Sequence, residues 1–359
     1  MSNAKPLLGP CDSYQLEPFA YEWAWAMARA QENNNWAPEE IAVGPDVADY
    51  KSPALDPKHR HLFEAVMAQL TTFDILRGDE IAECLLPIFQ PAEIKHFLKR
   101  MTWEEGLHTR SYRYIIENLG IPLEIYTRYQ TVPEFRARVA MCETISRPLL
   151  HILGRVYRGT DQLHSLSLDQ RQDLLRSMIF YFLIFEGVWF WVSLMGPLQQ
   201  LARLGYFKGA AEQFSYIARD EQQHIGFGIQ LIREFMAQYP ECLTEDFLAT
   251  LYTDTAHAID LEEAYINHCL KDGPILGYSA PEHVATAQYF ANLRLGSVGL
   301  AAPFPDAYHA FPWMSEQMEL KKEKNFFETR VTDYQTGGAL RFDDDSEAVG
   351  SPDWLNPLG

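Results

Sequence analysis

The chain has 359 residues, 47% of them apolar, and a formal net charge of −19, enough apolar material for one large domain or two ordinary ones. The acidic balance, with no basic run to offset it, argues against nucleic acid or an anionic membrane surface as partner. Five cysteines without a Cys-x-x-Cys give neither a disulfide framework nor a zinc ribbon. Together with an N-terminus that lacks a charged-then-apolar leader, they fit a reducing cytoplasm.

Residues 1–17 read as an irregular arm, and the helical period runs from Pro18 to about Asn34, with Tyr21, Trp23 and Trp25 as aromatic surface. Trp36-Ala-Pro-Glu-Glu then reads as a Pro-broken connection. After the loop 51–57 a long amphipathic helix carries Phe63, Met67, Leu70 and Asp74 down its inner face, so Asp74 is the inward carboxylate; Glu64, Asp79 and Glu80 fit that stripe less well. The next helix follows Pro91 and ends at Gly120. Ile94, Phe97, Met101, Glu105, His108, Tyr112, Ile115 and Leu119 form its stripe at i+3/i+4, which places a carboxylate and an imidazole where packing calls for hydrocarbon. An unpaired carboxylate is costly to bury, so this face needs a cation. Glu93 and His96 repeat the Glu-x-x-His spelling about 180° around the same helix, where a solvated face is expected.

Residues 133–158 form another helix, with Glu143 and His151 expected at its surface. The stretch 178–196, MIFYFLIFEGVWFWVSLMG, is nearly long enough for a membrane span, but Glu186 at its centre marks the core helix of a bundle instead. Ile179, Leu183, Glu186, Phe190 and Leu194 share its face. Beyond Gly205 comes a helix over about 207–238, on which Phe214, Ile217, Glu221, His224, Gly228, Leu231 and Phe235 make a second stripe with an inward Glu-x-x-His. Helices at about 243–271 and 281–296 follow, with Glu262, Glu263 and His268 expected at the surface. From Gly296 periodicity gives way to an irregular segment. The polar end, from about Lys321, carries Asp343-Asp344-Asp345 and closes on Trp354, Leu355 and Leu358: the pattern of a flexible docking tail.

Taken together, the chain twice offers a lone inward carboxylate followed by an inward Glu-x-x-His helix: Asp74 then Glu105/His108, and Glu186 then Glu221/His224. That is the ligand pattern of a dimetal-carboxylate bundle. Four carboxylates balance two divalent cations, and two neutral imidazoles complete the set. Oxygen and imidazole donors suit iron or manganese, where a structural zinc site would favour thiolates. The halves differ one turn past the histidine, where the first has Tyr112 and the second Gly228. A phenol beside a metal pair can deliver an electron to it.

In this combination the residues from Trp36 to about Leu340 resemble the small, radical-generating subunit of class I ribonucleotide reductase. The resemblance implies an all-α, ferritin-like dimetal-carboxylate bundle with extra helices, organised as an arm (1–17), a helical domain (18–320) and a flexible tail (321–359). It implies that Asp74, Glu105 and His108 hold one metal and Glu186, Glu221 and His224 the other, some carboxylates bridging. Tyr112 matches the family's radical tyrosine, and Phe190 and Ile217 match its apolar pocket; Leu194 stands where many relatives have a second phenylalanine. Trp36 matches the tryptophan that starts radical transfer, Asp220 the carboxylate linking it to His108, and Tyr334 the tail tyrosine that passes the radical to the large (alpha) subunit, which the last residues would dock. Retention of Tyr112 separates the chain from the subclass that stores its oxidant on a manganese-iron pair.

The expected activity is therefore the beta subunit of a cytoplasmic ribonucleoside-diphosphate reductase, a homodimer with a di-iron or dimanganese site per chain. It generates and stores a tyrosyl radical at Tyr112, and its large subunit reduces ribonucleotides to deoxyribonucleotides. Two alternatives stand beside it. A dimetal oxidase or oxygenase acting on an apolar ligand would have no use for Trp36 or Tyr334. A storage or structural bundle would bind many metals or none.

Overall fold

Apolar stripes at helical spacing have to be covered, and in this chain they cover one another. The computed structural model describes residues 6–9 and 16–314, and the named elements among them are all helical. We number the principal helices α1 (Glu22–Glu32), α2 (Gly44–Lys51), α3 (Pro57–Glu80), α4 (Ala92–Leu119), α5 (Pro133–Tyr157), α6 (Leu168–Arg203), α7 (Lys208–Gln238), α8 (Glu245–Cys269) and α9 (Ala280–Ser297). Helices α3, α4, α7 and α6 pack in a ring, each against the next, and the ligand-type residues line its interior. Outside the ring, α1 covers α4 and α7, while α5, α8 and α9 close over α6 and α3.

Several ends are tied by carboxylates. Asp46 on α2 accepts from the Gly209 and Ala210 amides at 3.0 and 2.6 Å, satisfying the first turn of α7, where unpaired N–H groups and the helix dipole favour an anion. The approach is close enough that a Cβ on Gly209 would meet the Ala42 carbonyl oxygen. Glu93 makes the equivalent contact at α1, accepting from the Ala20 and Tyr21 amides at 2.8 and 2.9 Å. Glu93 is therefore buried, not on a solvated face: the position opposite the metal-facing stripe is covered by α1. His96 does stand near the surface, paired with Glu32.

Helix α6 has mean hydropathy sufficient for a membrane span, yet its apolar window is entirely buried in the bundle. It is not a uniform α-helix. Ile179–Phe190 and Leu194–Leu198 are π-helical, the second around Pro197, whose ring cannot be accommodated in an ordinary turn. Wider turns shift the face of every following residue, so the 3.6-residue stripe drawn through Ile179, Leu183, Glu186, Phe190 and Leu194 is only approximate; all five are nevertheless buried.

Two further expectations need correction. The first helix begins at Glu22 rather than Pro18. Glu262 is fully buried: it pairs with Arg138 at 2.7 Å and with His283 at 2.6 Å. It lies on one i+3/i+4 stripe with Leu251, Thr255, Ala258 and Tyr265, all buried, so its face was readable from spacing. Of the arm, Leu7 and Leu8 insert into the core, Leu8 bridging to Phe89. The proposed tail, with Tyr334, lies outside the described residues.

Candidate metal centre

Asp74 comes from α3, Glu105 and His108 from α4, Glu186 from a π-turn of α6, and Glu221 and His224 from α7; all are at most 2% exposed. Donor atoms of Asp74, Glu105 and His108 lie within 4.8 Å of one another, and so do those of Glu105, Glu186, Glu221 and His224. Glu105 belongs to both groups and is the carboxylate that two ions would share. Glu221 spans the centre as well, with Oε1 3.1 Å from Nδ1 of His108 and Oε2 3.4 Å from Nδ1 of His224. Both histidines thus aim Nδ1 inward.

Fit to a metal pair can be judged from what these atoms lack. Asp74 Oδ2, Glu105 Oε1, Glu186 Oε2, both oxygens of Glu221 and both inward Nδ1 atoms are buried without a hydrogen-bond partner among the described residues. Orphaned acceptors facing one another are expensive unless a cation fills the space between them. Electrostatics say the same. Burial, followed by the charge of Glu105, pushes Asp74 well above the usual carboxylate range; burial and Glu221 raise Glu105. Glu186 is pushed up to about 8 by burial, against the lowering effect of Arg77. For Glu221 burial is outweighed by His224 and His108, which hold it down at about 2. Both histidines are raised, since the carboxylates around them outweigh burial. These opposed shifts mark a buried carboxylate cluster short of positive charge, which two divalent cations would supply. The donor set fits iron or manganese.

Behind each imidazole stands an outer carboxylate contributed by the opposite helix. Nε2 of His108 lies 3.4 Å from Asp220 Oδ2, which also accepts from the Trp36 indole at 2.8 Å. Trp36 is nearly parallel to the His108 ring, 6.5 Å away, and stacks on Tyr216 at 5.5 Å. On the other side Nε2 of His224 meets Glu104 Oε2 at 2.9 Å, and Glu104 is in turn held by Gln31 at 2.6 Å and Arg100 at 2.9 Å. Such partners fix the tautomer and orientation of a ligating imidazole. Glu104 is absent from the residues singled out by sequence. The signal was present: Glu104-Glu105-x-x-His108 and Asp220-Glu221-x-x-His224 spell an acid before the ligand Glu twice.

Tyr112 is fully buried one turn beyond His108. Burial first, and then the charge of Asp74, raise its pKa well above that of a free phenol. Its ring neighbour is Phe214, 6.4 Å between centroids, a residue assigned from sequence only to the apolar stripe. Phe190, Leu194 and Ile217 are also buried. Across the centre, the place equivalent to Tyr112 is taken by Gly228, where an added Cβ would stand 2.2 Å from Cγ of Phe182.

One more unforeseen residue reaches the centre. Arg77, one turn past Asp74 on α3 and 1% exposed, donates from Nε to Glu186 Oε1 at 2.5 Å and pairs through Nη1 with buried Glu80. Its guanidinium lies over the rings of Phe182 and Tyr181, at 4.6 and 5.2 Å from their centroids.

Comparison with known proteins agrees with this geometry. Residues 13–312 match the family described as ribonucleotide reductase, small chain. The chain is 32% identical over 330 residues to the ribonucleoside-diphosphate reductase subunit beta of Chlamydia pneumoniae, covering 92% of each chain. Its fold is similar to the ribonucleotide reductase R2 subunit from Clostridium botulinum, with TM-score 0.74 and 22% identity over 87% of this chain and 93% of that one. It is also similar to the dimanganese(II)-NrdF of Streptococcus sanguinis, with TM-score 0.63 and 20% identity over 86% and 99%. The chain therefore belongs to the ribonucleotide reductase small-chain family and is the beta subunit of a class I ribonucleoside-diphosphate reductase, a dimetal protein that works with a large subunit.

Proposed function

We propose that this subunit stores its oxidising equivalent as a neutral radical on Tyr112, and that the radical leaves through Trp36, which Asp220 links to His108, to Tyr334 and the large subunit. The observation that carries the reading is the placing of Tyr112: fully buried, within the field of Asp74, and on the same α4 face as Glu105 and His108. The proposed ligands are Asp74, Glu105, His108, Glu186, Glu221 and His224. Iron is the favoured metal and manganese the alternative, since the donor set accepts both. When bound, the metal pair supplies the one-electron oxidant through reaction with oxygen or a reduced oxygen species.

The chain's own residues do the rest. With its pKa raised by burial and by Asp74, Tyr112 stays a phenol at rest. Oxidation must remove the phenolic proton together with the electron, leaving a neutral phenoxyl. In this reading Phe214, beside the Tyr112 ring, and the buried Ile217, Phe190 and Leu194 form the apolar pocket that keeps water and external reductants from the radical. Asp220 accepts a hydrogen bond from Trp36 while facing Nε2 of His108, and so offers the indole a place in a continuous hydrogen-bonded path. Tyr334 and the tail complete the transfer, with the last residues docking the large subunit, and the enzyme operates in the cytoplasm.

The test is reconstitution with iron or manganese, metal counting, and electron paramagnetic resonance (EPR) of wild type beside Tyr112→Phe. Two metals per chain in both proteins with a tyrosyl signal only in wild type supports the reading. Fewer than about two metals under saturating conditions would refute the ligand set, and undiminished turnover by Tyr334→Phe would refute the tail path.

A further inference from the structure

Arg77 is not one of the six proposed ligands, yet it is bonded to one of them. It is a permanent cation, because a guanidinium does not lose its proton in a protein, and it sits in a wall of the metal cage with no solvent to screen it. Its contact occupies Glu186 Oε1, leaving Oε2 as the oxygen without a partner. Glu80 anchors the guanidinium from the other side, and Phe182 and Tyr181 fix its plane. The opposite half is held differently: among the described residues no arginine is paired with Asp74, whose Oδ2 faces Nδ1 of His108 at 3.7 Å. The ligand charges of the two halves are matched in kind, so the arginine is the main electrostatic difference between them.

A divalent cation entering between Glu186, Glu221 and His224 therefore meets a carboxylate already shared with a fixed positive charge. A cation entering between Asp74, Glu105 and His108 does not. We propose that Arg77 is a positioning residue that competes with metal for Glu186, making the α6/α7 half the weaker and later-filled of the two metal sites. The inference rests on the dimetal reading. The Arg77 and Glu80 charges cancel, so the pair can alter the division of affinity between the halves while leaving the net charge of the cage unchanged.

The experiment is anaerobic calorimetric titration of full-length protein with Mn²⁺. Wild type should show two binding events separated by at least about tenfold, with the weaker one abolished by His224→Ala and the tighter one by His108→Ala. In the charge-neutral double variant Arg77→Gln/Glu80→Gln the weaker event should tighten by about tenfold or more, the tighter event staying put. Arg77→Lys, which keeps the charge but cannot hold Glu186 and Glu80 with the same fork, should tighten it by less, and this variant decides the matter if the double variant does not fold. Two equal events in wild type, or a weaker event that is unmoved or loosened in the variants, would overturn the role given to Arg77 while leaving the dimetal site intact. Failure of wild type to bind two ions would overturn the dimetal reading itself.

Discussion

The two halves of the metal centre are built from the same parts and finished differently. Each has a lone carboxylate on one helix, a Glu-x-x-His on the next and an outer acid behind the imidazole. On the α3/α4 side the histidine is followed by Tyr112 and backed by Asp220, which leads to Trp36. On the α6/α7 side it is followed by Gly228, whose space is filled by Phe182, and backed by Glu104, which leads to Gln31 and Arg100. The lone carboxylates differ too, Glu186 being held by Arg77 and Asp74 facing Nδ1 of His108. A symmetric ligand set makes a metal site; the proposed radical path follows its departures from symmetry.

The largest effect should come from the phenol. Tyr112→Phe is expected to reduce ribonucleotide turnover to background with the large subunit present, while the metal count stays at two. Retained turnover would mean that the tyrosine is only packing. Removing the imidazole from one half at a time should come next: His108→Ala and His224→Ala should each lose one metal per chain, measured by elemental analysis. Their metal-dependent rise in melting temperature should shrink accordingly, since each saturating ion contributes about 2.7 kcal/mol at a hundred times its Kd. If either variant still binds two ions, the division of ligands is wrong.

The outer acids offer the sharpest comparison. Asp220→Asn and Glu104→Gln should each weaken metal binding or activity by about 10–100-fold, the usual effect of losing a partner behind a metal-bound histidine. They should part company once radical yield is held equal: turnover per radical should fall in Asp220→Asn and be unchanged in Glu104→Gln. Equal losses in both would remove the special role of the Trp36 side. The smallest effect should be that of Gly228→Ala, which overpacks Phe182 and should lower stability by about 1–3 kcal/mol in denaturant unfolding, with Phe182→Leu recovering part of the loss.

Much of this arrangement was legible because a carboxylate on an apolar stripe is anomalous. Asp74, Glu105, His108, Glu186, Glu221 and His224 could be found by asking which face each residue shares, and the structure gathers those six. The same test, applied at Glu262, would have placed that residue in the core. Other features were hidden for physical reasons. Glu93 is buried by a helix that arrives from elsewhere in the chain to be capped, which no local period reveals. The π-turns of α6 lie in a run apolar on every side, so there was no polar face against which a change of phase could be seen. Arg77 sits one turn past Asp74, and an arginine there reads as readily as a side chain reaching solvent as one reaching inward. Glu104 was masked by its neighbour, since adjacent acids on a helix point about 100° apart and only Glu105 lies on the stripe.

The account's central claim, an oxidant held on one side of a two-metal cage, is tested most directly by EPR of protein containing ring-deuterated tyrosine, with metal counted in the same sample. It predicts a tyrosyl signal in wild type whose hyperfine splitting collapses on deuteration, and no such signal in Tyr112→Phe carrying the same two metals. An identical tyrosyl signal in Tyr112→Phe, or full turnover by a wild-type protein with two metals and no tyrosyl signal, would contradict it.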